Sequence, residues 1–217
     1  MPALKAVLDN FYRDYPFQER ISYDPIAFPR HYRSPADSEV AGFIASCFAY
    51  GKVDLFRPVV SGILSAMGSS PHAFLLGLSL RRHRRLFSGI SYRFNTEADV
   101  ACLIYMLAKV LRKYGSIEAL FKLYYSDGDA DIRNGLTGLV KGFLDVDTSV
   151  IYGGDLRPGG LLQFFPLPEK GSTCKRMNLF LRWMVRDRDI DLGLWKGIPK
   201  NKLVIPLDTH IARVSKC

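Results

Sequence analysis

The sequence predicts an all-α protein, and three observations carry that prediction. Apolar residues recur at helical spacing through most of the chain, sustained period-two alternation is absent, and prolines and glycines gather in a few stretches between the periodic ones. Leu4, Val7, Leu8 and Phe11 read as a first amphipathic helix. Val40, Phe43, Ile44 and Cys47 give a second, and Val53, Phe56, Val60, Ile63, Leu64 and Met67 a third. Val100, Leu103, Ile104, Leu107 and Leu111 form the cleanest stripe. Ser116 is placed to cap a helix that turns Ile117, Leu120, Phe121 and Tyr124 inward. Ile132, Leu136, Leu139, Val140 and Phe143 mark one more helix, and Met177, Phe180, Leu181 and Met184 another. Residues 24–35, 126–131 and 151–160, rich in Pro, Gly or charge, are connections rather than linkers, so residues 1–217 form a single helical domain.

Composition narrows the function classes. A hydrophobic share of 48% with 24% charged residues is that of a folded globular chain. The most apolar stretch, residues 40–50, is about half the ~20 residues a membrane span needs, so no membrane is expected. The N-terminal segment scatters Asp9, Arg13 and Asp14 through its amphipathic pattern, which speaks against a secretion signal. Cys47, Cys102, Cys174 and Cys217 stand apart with no Cys-x-x-Cys pair, and His31, His72, His83 and His210 lack metal or triad spacing. No metal and no cofactor is expected, and the thiols fit a reducing cytoplasm. Thirty Lys and Arg against 21 Asp and Glu give a net charge of +9, which favours a polyanionic partner, nucleic acid first. The densest positive run holds Arg81, Arg82, Arg84 and Arg85 around His83 and reads either as a solvated face or as a loop that contacts phosphates.

The informative stretch is residues 167–178, Leu-Pro-Glu-Lys-Gly-Ser-Thr-Cys-Lys-Arg-Met-Asn, which passes from a Pro and Gly turn straight into a helix. On a helical wheel Lys175 falls nearly opposite the buried stripe, beside Arg182 and Arg186 on the face expected to be exposed. Gly171 and Ser172, just ahead of the helix, would offer backbone N–H groups at the positive end of its dipole, which suits a phosphate oxygen. Thirty-three residues after Lys175, Asp208 follows a short apolar run and precedes a helical pattern, as an N-cap does. Tyr50, at the end of the apolar stretch and ahead of Gly51 and Lys52, is placed to stack in a base pocket. A solvated lysine, a plain helix cap and a core tyrosine are the structural alternatives for these three residues.

The segment Pro206-Leu207-Asp208-Thr209-His210-Ile211, with Arg213 and Val214, resembles the aspartate motif of the helix-hairpin-helix DNA glycosylases, the superfamily of endonuclease III and 8-oxoguanine glycosylase. In that family a Leu-Pro-x-x-Gly hairpin leads to a lysine at a helix start. The resemblance implies a two-lobed helical fold sharing a cleft, and a helix-hairpin-helix element whose phosphate-binding turn includes Gly171. It implies Lys175 as Schiff-base nucleophile and Asp208 as the group that assists base departure. The partner is then double-stranded DNA at the nucleoid, and the activity is removal of a damaged base, an oxidised purine among the candidates, with abasic-site cleavage. The lysine-to-aspartate spacing is nearest the archaeal 8-oxoguanine glycosylase branch. Phe28-Pro29, Ala41-Gly42-Phe43 and Ala49-Tyr50-Gly51 also resemble a bacterial family of uncharacterised proteins across nearly all of the chain.

The chain departs from the glycosylase pattern at three points. Glu169 stands where the hairpin commonly has its first glycine, and Ser172 to Cys174 lengthen the link to Lys175. The sequence ends at Cys217, within the expected aspartate helix, which predicts an incomplete C-terminal lobe and an exposed apolar groove. The alternative reading is a non-catalytic helical DNA- or RNA-binding protein on the same scaffold; a helical protein-interaction module is a third.

Overall fold

The structure is a computed structural model that describes residues 2–80, 85–154, 157–207 and 213. Helix makes up 61% of the described residues. The only extended pairing among the described residues is an isolated bridge between Tyr92 and Asn95, so the fold is all-α. The helices are α1 (Pro2–Asp14), α2 (Phe17–Arg20), α3 (Ala27–Arg30), α4 (Pro35–Phe48), α5 (Val53–Met67), α6 (Pro71–Leu76), α7 (Glu97–Tyr114), α8 (Ile117–Lys122), α9 (Arg133–Leu144), α10 (Ser149–Tyr152), α11 (Gly159–Gln163) and α12 (Lys175–Val185). No helix among the described residues is long and apolar enough to cross a membrane.

Helix α4 is the axle of the fold. Pro35 at its first turn supplies a preset φ, Ser34 accepts a hydrogen bond from the Asp37 amide at 3.4 Å, and every residue from Asp37 to Phe48 is buried. A helix buried all round must be covered on all sides, and here α3, α5, α6 and α12 cover it. Helix α12 comes closest at Gly42, where a Cβ would stand 2.9 Å from Met184 Cε. Phe43 stacks on Phe143 at 4.9 Å and meets Phe180 edge-on at 5.4 Å, joining α4, α9 and α12 in one core.

The long stripe from Val100 to Leu111 becomes α7, started by a Thr96–Asp99 capping box and stopped at Gly115 with φ +87°. Ser116 caps α8 by accepting from the Ala119 amide at 2.9 Å. The two amides before it are capped from another helix. Glu39 of α4 accepts from Ile117 N and Glu118 N, each at 3.0 Å, and from the indole of Trp195 at 2.8 Å. Burial raises the Glu39 pKa, and the three donors oppose that shift.

Helices α8 and α9 touch through glycine. A Cβ on Gly135 would stand 2.5–2.8 Å from three atoms of the fully buried Phe121 ring, which has no room to retreat. Gly135→Ala is therefore expected to destabilise the fold by about 1–3 kcal/mol, measured by urea unfolding. Gly128→Ala, where the nearest atom to a new Cβ is 3.9 Å away, is the control that should change little. Equal midpoints for the two variants would show that the helices part without cost.

Two expectations about surfaces need correction. Helix α1 forms, but Leu4, Val7, Leu8 and Phe11 stay exposed, because no described segment lies across their face. Arg182 and Arg186 are not on a free cationic face. The loop after α12 folds back over them, and Asp191 accepts from both at 3.2 Å while Asp189 takes Arg186 at 2.8 Å.

Candidate active site

Lys175 is the first residue of α12 and is half buried. The chain reaches it through α11, a 3-10 turn at Pro168–Lys170, and Gly171, whose φ of +74° favours a residue without a Cβ. Gly171, Ser172 and Thr173 are exposed. Cys174 then adopts a left-handed φ of +48°, uncommon for a residue with a side chain, and offers no side-chain cap to the helix. What holds it is burial. The Cys174 side chain is 2% exposed, its Sγ lies 3.4 Å from the Pro166 carbonyl, and its amide donates to Ser172 Oγ at 3.2 Å. Burial also raises the Cys174 thiol pKa, so this sulfur is a packed group rather than a nucleophile.

Arg176, the next residue, was not singled out by the sequence. Its guanidinium donates to the Cys47 carbonyl at 2.6 Å and to the Gln163 carbonyl, and it lies 4.9 Å from the centre of the Tyr50 ring. It thereby fastens the start of α12 to the ends of α4 and α11. Burial lowers the Arg176 pKa, against which the nearby Cys47 and Tyr50 act to raise it. The available signal was helical spacing: Arg176 stands four residues before Phe180, a charged side chain at the edge of an apolar stripe.

Tyr50 is half buried beside that clamp. Its hydroxyl donates to Asn95 Oδ1 at 2.5 Å, Tyr92 donates back to the Tyr50 carbonyl at 2.5 Å, and Arg93 lies 5.8 Å from the Tyr50 ring centre. Burial pushes the Tyr50 phenol up to about 12. Asn95 in turn donates to the Gly160 carbonyl of α11 at 2.6 Å. Tyr50 is thus joined to the Lys175 helix through Arg176 and to α11 through Asn95.

On the other side of the turn lies a groove of about 460 Å³. Gly171, Ser172, Thr173 and Cys174 form one wall, Arg133 and Leu136 of α9 another, and Val204, four residues before Asp208, a third. Glu169, the acid in the turn, is held by Lys141 of α9 at 3.0 Å in a half-exposed pair. Asn178, one turn into α12, donates to the Thr173 carbonyl at 2.9 Å, while its buried Oδ1 accepts from no described residue.

The structure therefore brings Gly171, Ser172 and Lys175 together in one turn and helix start, with Tyr50 attached through Arg176. Asp208, Arg81, Arg82 and Arg84 lie outside the described residues, and so does the distance from Lys175 to Asp208. Arg85 is exposed. Cys47, Cys102 and Cys174 are buried free thiols. Among the described residues no group of three or more His, Cys, Asp or Glu side chains could hold a metal ion.

No curated protein and no solved structure matches the chain. Residues 24–217 match the family described as "Protein of unknown function (DUF2400)". The match takes in α3 to α12, the Tyr50 and Arg176 cluster and both the Lys175 and Asp208 positions, and the chain belongs to the DUF2400 family.

Proposed function

We propose that this protein removes a damaged base from duplex DNA and cleaves the strand at the abasic site. The target nucleotide is turned out of the helix, since a glycosidic bond inside the stack is beyond the reach of a side chain. The Lys175 amine attacks C1′, the glycosidic bond breaks, and the base leaves with its electron pair. Asp208 stabilises the positive charge that develops on the sugar. Ring opening then gives a protonated imine, from which elimination of the 3′ phosphate cuts the strand. One observation carries this reading: a tight turn closed by Gly171 leads into a helix that begins at Lys175, and the turn residues Gly171 to Cys174 line one groove with Val204, four residues before Asp208. Borohydride capture tests it, because reduction of the imine to an amine leaves protein covalently joined to an abasic or oxidised-purine duplex.

A non-catalytic DNA- or RNA-binding protein on the same scaffold is the second reading. Glu169 bears on this choice, since it stands where the glycosylase hairpin commonly has its first glycine, a departure that counts against the catalytic reading. Tight binding to damaged duplex without a trapped adduct or released base selects this reading over the first.

Under either reading binding is electrostatic. Duplex affinity is expected to fall about a hundredfold or more between roughly 50 and 200 mM salt. Replacing Arg81, Arg82, Arg84 and Arg85 together by alanine should flatten the slope of log affinity against log salt by up to about 4, one per lost phosphate contact. An unchanged slope removes this run from the footprint.

A further inference from the structure

Tyr92 and Asn95 close a two-residue turn by exchanging both backbone hydrogen bonds, at 2.9 and 2.8 Å, with Arg93 and Phe94 at its tip. Phe94 is 63% exposed, a large aromatic ring left in solvent on a small and well-tied piece of chain. Arg93 has a left-handed φ of 51°, a position that turns of this length usually give to glycine or asparagine. The backbone carries that strain while holding the Arg93 guanidinium between two rings, 5.5 Å from the centre of Phe94 and 5.8 Å from that of Tyr50.

The turn is anchored at its base. Asn95 is bonded to Tyr50 and to Gly160, and Tyr92 to the Tyr50 carbonyl. The fit leaves no spare volume. A Cβ on Gly51 would stand 2.6 Å from the Arg93 guanidinium and 2.7 Å from the Tyr92 hydroxyl, and one on Gly160 would strike the Phe94 carbonyl. Through the Tyr50 ring the anchor continues to Arg176, the neighbour of Lys175.

We infer that the Arg93–Phe94 tip is a nucleobase-stacking contact. Phe94 supplies the face on which an unpaired base lies, and Arg93 supplies the cation for the adjoining phosphate. Base-on-aromatic stacking tolerates any base, because every base has a π face, and a ring carried on a turn tied at its base has less backbone freedom to lose when it is covered. The two carboxylates that follow the turn in sequence are engaged elsewhere. Asp99 is buried and bound by Thr96 and Tyr152, and Glu97 stands in the first turn of α7, at the positive end of that helix. The inference rests on the nucleic-acid reading above but needs no chemistry at Lys175, and an unpaired base is offered equally by a single strand and by a duplex opened at an abasic site.

The test uses the full chain with a fluorescein-labelled single-stranded oligonucleotide and, in parallel, an abasic duplex and an intact one. Phe94→Ala is expected to weaken binding to the single strand and the abasic duplex by roughly five- to a hundredfold, and binding to the intact duplex by less than about twofold. Phe94→Trp adds an optical readout. The native Trp183 and Trp195 are 1% and 2% exposed, so a solvent-facing indole at the tip emits apart from them, and stacking should quench it on the single strand. The Phe94 side chain is mostly exposed, and unchanged unfolding midpoints in both variants separate lost contact from lost fold. Equal affinities of wild type and Phe94→Ala for all three probes, or an unquenched Phe94→Trp signal under saturating single strand, overturns the inference. Borohydride capture by each variant reports on Lys175 separately, so failure of the stacking contact and failure of the lyase are told apart.

Discussion

Lys175→Gln is expected to abolish the borohydride-trapped adduct while leaving duplex affinity within about twofold, because one charge among many phosphate contacts moves the electrostatic part of binding little. The same substitution should leave no measurable strand cleavage at abasic sites. Lys170 is the control that gives the result its meaning. It lies in the turn five residues earlier and is exposed, so nonspecific attack by a nearby amine would fall on it as readily. Lys170→Gln should trap as well as wild type; if it loses the adduct and Lys175→Gln keeps it, the nucleophile has been assigned to the wrong lysine. Asp208→Asn keeps the shape of the side chain and its capacity to cap a helix but removes the charge. It should slow base release by about a hundredfold or more, the scale of losing one electrostatic stabiliser of a transition state. An Asp208→Asn rate equal to wild type confines Asp208 to capping.

Glu39→Ala is the substitution outside the site with the largest expected consequence. It removes one carboxylate and strands three donors, the buried Ile117 amide and Trp195 indole and the part-buried Glu118 amide. A stranded buried donor costs about 1–3 kcal/mol, partly offset by not burying a carboxylate, which puts the loss near 4 kcal/mol. Against a typical total of about 5–15 kcal/mol, that is a shift large enough to bring the chain near its unfolding threshold at 37 °C. Glu39→Gln retains one acceptor oxygen and should lose about half as much. Chemical denaturation measures both, and an alanine variant no less stable than the glutamine one would mean that water replaces the carboxylate at those amides.

Helices were legible where their apolar stripes were long and their ends capped. The Val100 to Leu111 stripe and the Ser116 cap lie where the pattern places them, since local spacing and local capping decide both. What the pattern could not show is what comes to lie across a given face. The face of α1 has the right period and stays exposed, whereas Arg182 and Arg186, opposite their own helix's apolar stripe, are covered by a loop from residues 186–195. Gly171, Ser172 and Lys175, in the turn and at the helix start, could be placed because they are neighbours in sequence. The Tyr50, Tyr92, Asn95 and Arg176 cluster could not, because the bonds that tie Tyr50 to Tyr92 and Arg176 to Cys47 span 42 and 129 residues of chain. Glu39 left a readable trace nonetheless: an acidic residue immediately ahead of the most apolar run in the sequence, where only a set of waiting donors makes burial tolerable.

Arg176 has one more consequence, and it is mechanical. A guanidinium attached to two carbonyls on two different helices works as a torque lock: α12 cannot roll about its axis without parting from Cys47 or Gln163. The root of the Lys175 side chain, one residue away, therefore has a fixed azimuth, and the amine hangs from it on a four-carbon tether. A substrate has to be carried to the amine, within a radius set by that tether, because the helix bearing it does not turn to meet one. Lysine at position 176 could hold one carbonyl but not span both, so the same fold would then carry its nucleophile on a loosened pivot.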